Sequence, residues 1–249
     1  MKIFTIYTLI LLIVLLTGCN KNRESTQSVI VDSTSIDNSK STTVQDLIKE
    51  NIPPMSGWKS YGLLGRVKSV KYTDGDYWEF NKDGNMTKKT TAWVSEDGST
   101  QTNTVTNTYS SSNEYTVTNG TSYKIKIEYE KNTRNEIEQG GEYFRDSFTF
   151  DNLDRLIRYS PNMNFDVVTI EYKYKDETEM FPYKEIEEAG YEGGGGSYST
   201  ISTFEYLKTD TKGNWTERKV NCKISGVDGE DKKSYNTRTF SEIREITYY

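Results

Sequence analysis

Few residue types in this chain could carry out catalysis. The sequence contains no histidine, which excludes serine–histidine–acid and cysteine–histidine catalysis and the common histidine–cysteine zinc sites. An enzyme without histidine could still use a carboxylate pair, a serine–lysine pair or an all-oxygen metal site, and the chain has 37 acidic residues. Since no motif singles out one carboxylate pair, the sequence predicts no catalytic residue, no metal site and no cofactor, and a protein that is not an enzyme.

Cys19 is the residue with the clearest predicted chemistry. It follows an apolar stretch, Ile3 to Leu16, which has the length of a signal-peptide core and is too short to span a membrane. The residues Leu16-Thr17-Gly18-Cys19 are similar to the bacterial lipobox, in which the cysteine is acylated and becomes the new N-terminus. We therefore predict that residues 1–18 are a cleaved signal peptide and that Cys19 is the lipidation site.

Cys222, the second cysteine, has a different predicted role. A lipidated Cys19 leaves Cys222 without a disulfide partner in the chain. Val220, Cys222 and Ile224 alternate with polar residues, which predicts that Cys222 lies on the buried face of a strand as a small apolar side chain.

An acidic cluster occurs in the second half of the chain, at Glu185, Glu187, Glu188 and Glu192. A solvated strand edge is the predicted environment of these side chains. Weak calcium binding is the alternative, because oxygen ligands alone can hold that ion.

Aromatic residues are the main compositional excess, with 19 Tyr, 9 Phe and 4 Trp in a chain that is only 33% hydrophobic. Tyrosines could fill the core of a thin sheet while their hydroxyls reach the surface. The alternative places Trp58, Trp93 or some tyrosines on an open face, where they would stack on a sugar ring or a protein partner. Trp58 and Trp93 are therefore the predicted ligand-binding residues.

The chain divides into a leader, a tether and one domain. Residues 19–43 are rich in Ser, Thr, Asn and Asp, a composition typical of a disordered tether. Residues 44–249 are assigned to a single domain. Val44 to Asn51 is predicted to form a short helix that stops before Pro53-Pro54.

Alternation with period two dominates from Gly57 onwards and is typical of antiparallel strands with one buried face. Turn-forming pairs such as Asp83-Gly84, Asp97-Gly98 and Gly213-Asn214 separate the alternating runs. We predict an all-β fold, an antiparallel β-meander of roughly 12–16 strands built from repeated hairpins. The sheet is expected to be elongated or curled, with a short N-terminal helix.

One sequence unit recurs in the predicted domain. Residues 78–86 (WEFNKDGNM) align without gaps on residues 148–156 (FTFDNLDRL), and both read aromatic, polar, aromatic, Asx, two residues, turn residue, polar, apolar. Looser copies are predicted at residues 127–137 and 204–215. Each unit predicts a strand, a tight turn and the beginning of the return strand.

The residues of this unit resemble the YD repeat of RHS-type proteins, with Asp154 where that family prefers glycine. The segments Gly65-Arg66-Val67-Lys68-Ser69-Val70 and Lys212-Gly213-Asn214-Trp215-Thr216-Glu217-Arg218 resemble motifs of a group of uncharacterised Bacteroidetes lipoproteins. Across roughly residues 60–249, the resemblance is to degenerate YD/RHS-like β-hairpin repeats. It implies a β-meander or β-spiral and carries over no catalytic residue.

Net charge and the N-terminal residues narrow the expected partners and location. A charge of −6 argues against nucleic acid, so the expected partners are the membrane, reached through the N-terminal lipid, and a glycan or an envelope protein. The residue after Cys19 is Asn20 and not the aspartate that resembles an inner-membrane retention signal, which favours the bacterial outer membrane. Residues 21–24 are not an acidic run, which favours the periplasmic face over the cell surface.

The sequence is compatible with three functions. The leading one is a lipid-anchored cell-envelope protein with a non-catalytic binding or scaffold domain. The second is an immunity or assembly factor that binds one protein partner, and the third is a carboxylate-dependent glycoside hydrolase. A groove lined by aromatic residues would favour a glycan, a flat acidic face would favour a protein partner, and two close carboxylates in a cleft would favour hydrolysis.

Overall fold

A computed structural model describes residues 54–95, 97–140, 144–163, 166–191, 196–228 and 233–249. The predicted signal peptide, the lipidation site Cys19, the tether and the helix predicted at Val44 to Asn51 lie outside these residues.

The described part of the chain contains fourteen strands and one helical turn, α1 (Gly57–Ser60). The strands are β1 (Val67–Tyr72), β2 (Tyr77–Phe80), β3 (Met86–Val94), β4 (Thr100–Ser111), β5 (Glu114–Asn119), β6 (Thr121–Glu130), β7 (Thr133–Glu138), β8 (Phe144–Phe150), β9 (Leu156–Met163), β10 (Asp166–Lys173), β11 (Lys184–Tyr191), β12 (Gly196–Thr209), β13 (Trp215–Asp228) and β14 (Lys233–Tyr248).

The strands form a closed antiparallel barrel. Each strand pairs with its neighbours in the chain, and β1 also pairs with β14, with Val70 opposite Ile246. The prediction of an all-β antiparallel meander is therefore confirmed, whereas the prediction of an elongated or curled sheet is wrong, because the sheet closes on itself. Closure pairs the backbone groups that the two outermost strands would otherwise expose. The local alternation of residues does not encode this pairing between the two ends of the domain.

Alternate side chains point into the barrel and out to solvent. In β6, Ile125 and Ile127 are buried, whereas the alternating residues Lys124 and Lys126 are exposed. Cys222 of β13 is fully buried, which confirms its predicted place on the inner face. The period-two pattern thus assigns these side chains to the correct face.

The apolar core is divided into three clusters. Trp58, Leu63, Val67, Val70, Phe80 and Met86 form the first. Tyr115, Val117, Ile125 and Ile127 form the second, and Phe148, Phe150 and Leu156 form the third. About eight strands enclose a space that side chains can fill, so a fourteen-stranded barrel leaves room for polar groups and a cavity.

The segment 54–66 forms a floor at one end of the barrel. Within it, α1 begins at Gly57, where the Ser56 side chain caps the first turn by accepting from the backbone N–H of Lys59. The backbone N–H of Trp58 donates to the Gly84 carbonyl oxygen, and its indole Nε1 donates to the Val67 carbonyl oxygen at 2.7 Å. These bonds fix the floor to the turn between β2 and β3 and to the start of β1.

Three turns at the floor end share one hydrogen-bond pattern, at residues 81–85, 151–155 and 210–214. In each, the first side chain accepts from the backbone N–H groups of the third and fifth residues at 2.9 to 3.0 Å. The fourth residue has positive φ in all three, including Asp154 at 59° where the other turns have glycine. Asp154 also accepts from the Met55 backbone N–H, which ties this turn to the floor.

These turns support part of the predicted repeat. The gapless alignment of residues 78–86 with 148–156 matches two equivalent turns, and the copy at 204–215 contains the third. The copy predicted at residues 127–137 is wrong. There β6 ends at Glu130 and β7 begins at Thr133, so a two-residue turn replaces the five-residue turn.

Candidate functional site

A cavity of about 350 Å³ lies inside the barrel between the floor and the walls. Floor residues and the inner faces of β3, β4, β5, β7, β8 and β9 line it. The lining consists of Gly57, Ser60, Tyr61, Met86, Lys89, Thr91, Asn103, Val105, Asn107, Tyr109, Tyr115, Arg134, Glu136, Asp146, Phe148, Tyr159 and Pro161. Its volume lies at the lower end of the range of roughly 300–1,000 Å³ that is typical of small-molecule sites.

An ion pair on β7 forms one wall of the cavity. Arg134 and Glu136 are both buried, and Arg134 Nη2 lies 2.7 Å from Glu136 Oε1. The Tyr115 hydroxyl donates to Glu136 Oε2, and Arg134 Nη1 donates to the Met55 carbonyl oxygen at 3.4 Å. The ion pair therefore connects the wall at β5 and β7 with the floor.

A second carboxylate faces the first across the strand pair. Asp146 of β8 lies directly opposite Glu136 of β7 in the register, on the same inner face. The Tyr159 hydroxyl of β9 donates to Asp146 Oδ1 at 2.7 Å. Directly opposed side chains have Cβ atoms about 4.5–5.5 Å apart, so the two carboxylates lie close together at one wall.

Aromatic rings form much of the remaining wall. Phe148 and Tyr159 are stacked, with ring centroids 4.8 Å apart and an interplanar angle of 12°. Tyr109 and Tyr115 are stacked at 4.9 Å, and Tyr61 of the floor meets Phe148 edge-on at 6.4 Å. The cavity thus combines aromatic ring faces with charged hydrogen-bonding groups.

Burial keeps these phenols protonated. It raises the pKa of Tyr61, Tyr109 and Tyr159 above the ordinary value of 10.0. The negative charge of Glu136 is the second cause for the pKa of Tyr61 and Tyr109, and Asp146 is the second cause for Tyr159. The hydroxyls therefore remain neutral and able to donate hydrogen bonds at physiological pH.

The cavity reaches solvent near the β3–β4 side of the barrel. Lys89 of β3 and Asn103 of β4 line the cavity yet are exposed. Thr91 lies two positions after Lys89 on β3 and opposite Asn103 of β4 in the register. A ligand would enter past these residues and meet Glu136, Asp146 and the aromatic rings deeper inside.

A second polar centre lies on the inner face of β12, β13 and β14. Arg218 Nε donates to Glu242 Oε2 at 2.6 Å, and its guanidinium lies 4.1 Å from the Phe204 ring centroid and 4.3 Å from that of Trp215. Arg244 lies 3.6 Å from the Trp215 centroid and donates from Nε to the Trp215 carbonyl oxygen. These contacts fill this part of the lumen with protein groups, so we assign the centre a structural role.

The predicted acidic cluster is a solvated strand edge only in part, since Glu188 is exposed on β11 as predicted and Glu192 lies outside the described residues. Glu185 and Glu187 are half-buried on the inner face, opposite Ser202 and Thr200 of β12, so the predicted environment is wrong for both side chains. Burial raises the pKa of Glu185 to about 7, although the positive charge of Arg218 acts in the opposite direction. In the described residues, no group of three or more acidic, cysteine or histidine side chains is arranged to hold a metal ion.

The two predicted ligand-binding tryptophans lie in different environments. Trp58 is only 1% exposed and packs from the floor into the first core cluster, so its predicted place on an open face is wrong. Trp93 lies on β3 and is half-buried. Neither residue lines the cavity.

The groups that do line the cavity are not identified by the sequence motifs. Tyr61, Arg134, Glu136 and Asp146 come from the floor and from two strands, and no spacing links them. The alternation of inward-facing residues along each strand could have identified them, because Arg134 and Glu136 share a face with the buried aromatic residues. Charged residues on a predicted inner face are the sign of a polar lumen.

Comparisons with known proteins do not assign the chain to a family. No protein-family model matches the chain, and neither a curated protein nor a solved structure is similar to it at a significant level. Within the part of the chain that the structure describes, no helix is long and apolar enough to cross a membrane.

Proposed function

We propose that this protein is a lipid-anchored protein of the bacterial cell envelope whose barrel binds a small saccharide in its lumen without transforming it. The observation that carries the proposal is the 350 Å³ cavity with ring faces, two carboxylates and a guanidinium in its wall. The lipid anchor and the outer-membrane location rest on the lipobox-like sequence that ends at Cys19.

The chemistry of the cavity suits a sugar. Tyr159, which stacks on Phe148, lines the cavity and offers a ring against which the C–H groups of a sugar can pack. Glu136 has four lone-pair sites and uses two for Arg134 and Tyr115, so it retains capacity to accept from sugar hydroxyls. Asn103 and Lys89 near the mouth can donate to sugar oxygens.

A cavity of this kind favours a saccharide over a protein partner. A protein partner would need a broad surface, about 800 Å² on each side of a standard interface, whereas the polar and aromatic groups here converge inside the barrel. The exposed outer residues Lys124 and Lys126 alternate with buried residues along β6. Their arrangement is that of an ordinary solvated face.

Blocking the cavity tests the proposal. The full chain, purified in mild detergent, is titrated calorimetrically with a panel of mono- and disaccharides, and saturable binding to at least one sugar is expected. Thr91→Trp would place a bulky ring in the cavity and should abolish that binding. Thr90→Trp is the matched control, since the Thr90 hydroxyl pairs with Thr104 on the exposed face, and it should leave binding unchanged.

Two results would overturn the proposal. The first is the absence of binding to every sugar of the panel by the folded protein. The second is equal loss of binding in Thr91→Trp and Thr90→Trp, which would place the site elsewhere.

Glycoside hydrolysis is a second candidate, favoured by the facing positions of Glu136 and Asp146. Retaining glycosidases use two carboxyl groups about 5–5.5 Å apart. Incubation of the protein with aryl glycosides, followed by measurement of the released phenol, tests this candidate. Release that disappears in both Glu136→Gln and Asp146→Asn would favour hydrolysis over simple binding.

A further inference from the structure

The floor closes one end of the barrel, because it is bonded to the three equivalent turns at that end. Trp58 bonds to the turn between β2 and β3, Met55 to the turn between β8 and β9, and Leu64 to the turn between β12 and β13. Gly57 approaches the first of these turns so closely that a Cβ atom there would clash with the Gly84 carbonyl oxygen. The cavity therefore ends at the floor.

The opening of the cavity lies further along the wall strands. Met86, the first residue of β3, packs with Trp58 of the floor, and Thr91 lines the cavity five residues later, opposite the exposed Asn103. Five residues at about 3.3 Å each span roughly 16 Å along the strand. Because barrel strands tilt by about 35–45°, the depth along the barrel axis is roughly 12–14 Å. The cavity thus has the shape of a pit, closed by the floor and open at the β3–β4 side.

A pit of this shape suits the end of a chain better than its middle. A polysaccharide bound along its middle must both enter and leave the site, which requires a groove that is open at two ends. Here a chain that enters at the mouth meets the floor at the bottom. On the side of β12, β13 and β14, the lumen is filled by Arg218, Arg244 and the Trp215 ring.

Tyr61 is the floor residue best placed to meet a chain end. It lines the cavity, and its hydroxyl forms no hydrogen bond with another of the described residues. Burial raises the pKa of this phenol above its ordinary value of 10.0, so the hydroxyl stays protonated and can both donate and accept. The closed end of the pit therefore presents a hydrogen-bonding group to the first sugar ring that reaches it.

We propose that the lumen recognises the terminal unit of a saccharide chain, with the end ring on the floor at Tyr61 and the rest of the chain leaving past Thr91 and Asn103. The inference rests on the proposed saccharide-binding function and names the part of the ligand that the same site takes. Rings beyond the mouth lie in solvent. Because a linear chain has one end of the correct kind whatever its length, affinity should stop rising once the pit is filled.

A chain-length series tests this inference in the full chain. Calorimetric titration with cello-, malto- and chito-oligosaccharides of one to six rings gives a dissociation constant for each length. In a series that binds, the dissociation constant is expected to fall up to two or three rings and then to change by less than about twofold up to six rings. A site for the middle of a chain would instead gain affinity with each added ring.

Blocking the two ends of a hexasaccharide gives a second test. A bulky group attached to the end that enters the pit should abolish binding, because the floor and walls leave no room for it. The same group attached to the other end should leave binding unchanged, since that end lies outside the mouth. The pair of derivatives also identifies whether the reducing or the non-reducing end enters.

Tyr61→Phe tests the role of the floor. Loss of one hydrogen bond should weaken binding of the trisaccharide by about three- to tenfold, while the ring keeps its place in the packing. Tyr235→Phe is the matched control, since Tyr235 is 78% exposed and does not line the cavity, and it should leave binding unchanged. A thermal unfolding profile like that of the parent protein verifies that each variant is folded.

The possible outcomes separate this inference from the proposed function. Affinity that keeps rising up to six rings, or hexasaccharide binding that survives a block at either end, would overturn chain-end recognition and leave saccharide binding intact. Failure of every sugar in the three series would overturn both. Equal binding by the parent protein and Tyr61→Phe would contradict the role given to Tyr61.

Discussion

Asn214, in the turn between β12 and β13, binds both backbone groups of Leu64, which lies 150 positions earlier in the chain. The Leu64 N–H donates to Asn214 Oδ1 at 2.8 Å, and Asn214 Nδ2 donates to the Leu64 carbonyl oxygen at 2.6 Å. Asn214 is completely buried. One side chain from a repeated turn therefore ties the floor of the barrel to its wall.

Replacing Asn214 should weaken this attachment of the floor. Asn214→Ala leaves the buried N–H and carbonyl oxygen of Leu64 without partners, and each unsatisfied group costs about 1–3 kcal/mol. We expect the free energy of unfolding, measured by urea denaturation, to fall by about 2–4 kcal/mol.

Asn85→Ala is the matched control for that experiment. Asn85 occupies the same position in the turn between β2 and β3, and its backbone N–H donates to Asn81 Oδ1. Its replacement should cost less than about 1 kcal/mol. Equal destabilisation by the two variants would show that the bonds to Leu64 contribute little.

Gly84 is expected to tolerate no side chain. Its φ is 85°, and a Cβ atom at this position would lie 2.6 Å from Cε3 of Trp58. Gly84→Ala should therefore destabilise the protein by about 2–5 kcal/mol, of which the left-handed conformation contributes about 1–2 kcal/mol and the clash about 1–3 kcal/mol.

Gly98→Ala separates the two causes in the same denaturation assay. Gly98 has a similar φ of 81°, but a Cβ atom there would meet no other atom within 4 Å. Only the conformational cost of about 1–2 kcal/mol is expected. If Gly84→Ala costs no more than Gly98→Ala, the floor must shift easily to accommodate the added methyl group.

Glu185 should make the protein less stable as the pH rises. Burial raises its pKa from 4.5 to about 7, so the folded state binds the proton more tightly than the unfolded chain does. The stabilisation is fully present below pH 4.5 and is lost as the pH rises to about 7. The loss amounts to roughly 3 kcal/mol at most, at 1.36 kcal/mol for each pKa unit.

Glu185→Gln should flatten this pH dependence in urea denaturation curves recorded from about pH 4.5 to about pH 8. The glutamine side chain cannot ionise, so the variant should be more stable than the parent protein at the alkaline end of this range. Glu188→Gln, at an exposed position of the same strand, should keep the slope of the parent protein. An unchanged slope in Glu185→Gln would show that the carboxyl group is already solvated.

Buried phenols should couple ionisation to unfolding at high pH. The pKa of Tyr61, Tyr109, Tyr159 and Tyr172 is raised above 10.0, first of all by burial. Because the folded state holds these protons more tightly, the free energy of unfolding should fall as the pH rises above about 10. Ultraviolet absorbance of phenolate, recorded together with circular dichroism, should show these tyrosines ionising only as the barrel unfolds.

Tyr235→Phe is the control for the alkaline transition, since Tyr235 is 78% exposed. It should leave the midpoint of the alkaline unfolding transition unchanged. Complete ionisation of all tyrosines in a protein that keeps its native circular dichroism would contradict the burial of these phenols.

The positions of individual turns can be predicted from the sequence, whereas the size of the enclosed space cannot. Asp83-Gly84 and Gly213-Asn214 are recognisable because a five-residue turn needs an Asx acceptor and a residue with positive φ. Both requirements are local. The strand count follows from such turns, but whether the sheet closes depends on the accumulated twist and on contact between β1 and β14.

In the candidate site too, the sequence predicts local features but not which distant residues meet. The alternation of residues predicts which face Tyr109, Cys222 and Phe148 occupy, because side chains on a strand alternate between two faces. It does not predict that the inner faces of β7 and β8 meet a floor whose Met55 lies 79 positions before Arg134. Tyr61 and Asp146 come together only because that floor enters the barrel.

The sequence by itself determined an all-β meander, its turns and the face of each strand, since these depend on interactions between residues close in the chain. Only the tertiary structure decided that the sheet closes, that Trp58 is buried and that Glu136, Asp146 and the tyrosines surround one cavity. Those outcomes depend on strand pairing and on packing of the floor between segments far apart in sequence. Such long-range contacts leave no periodic signal in the chain.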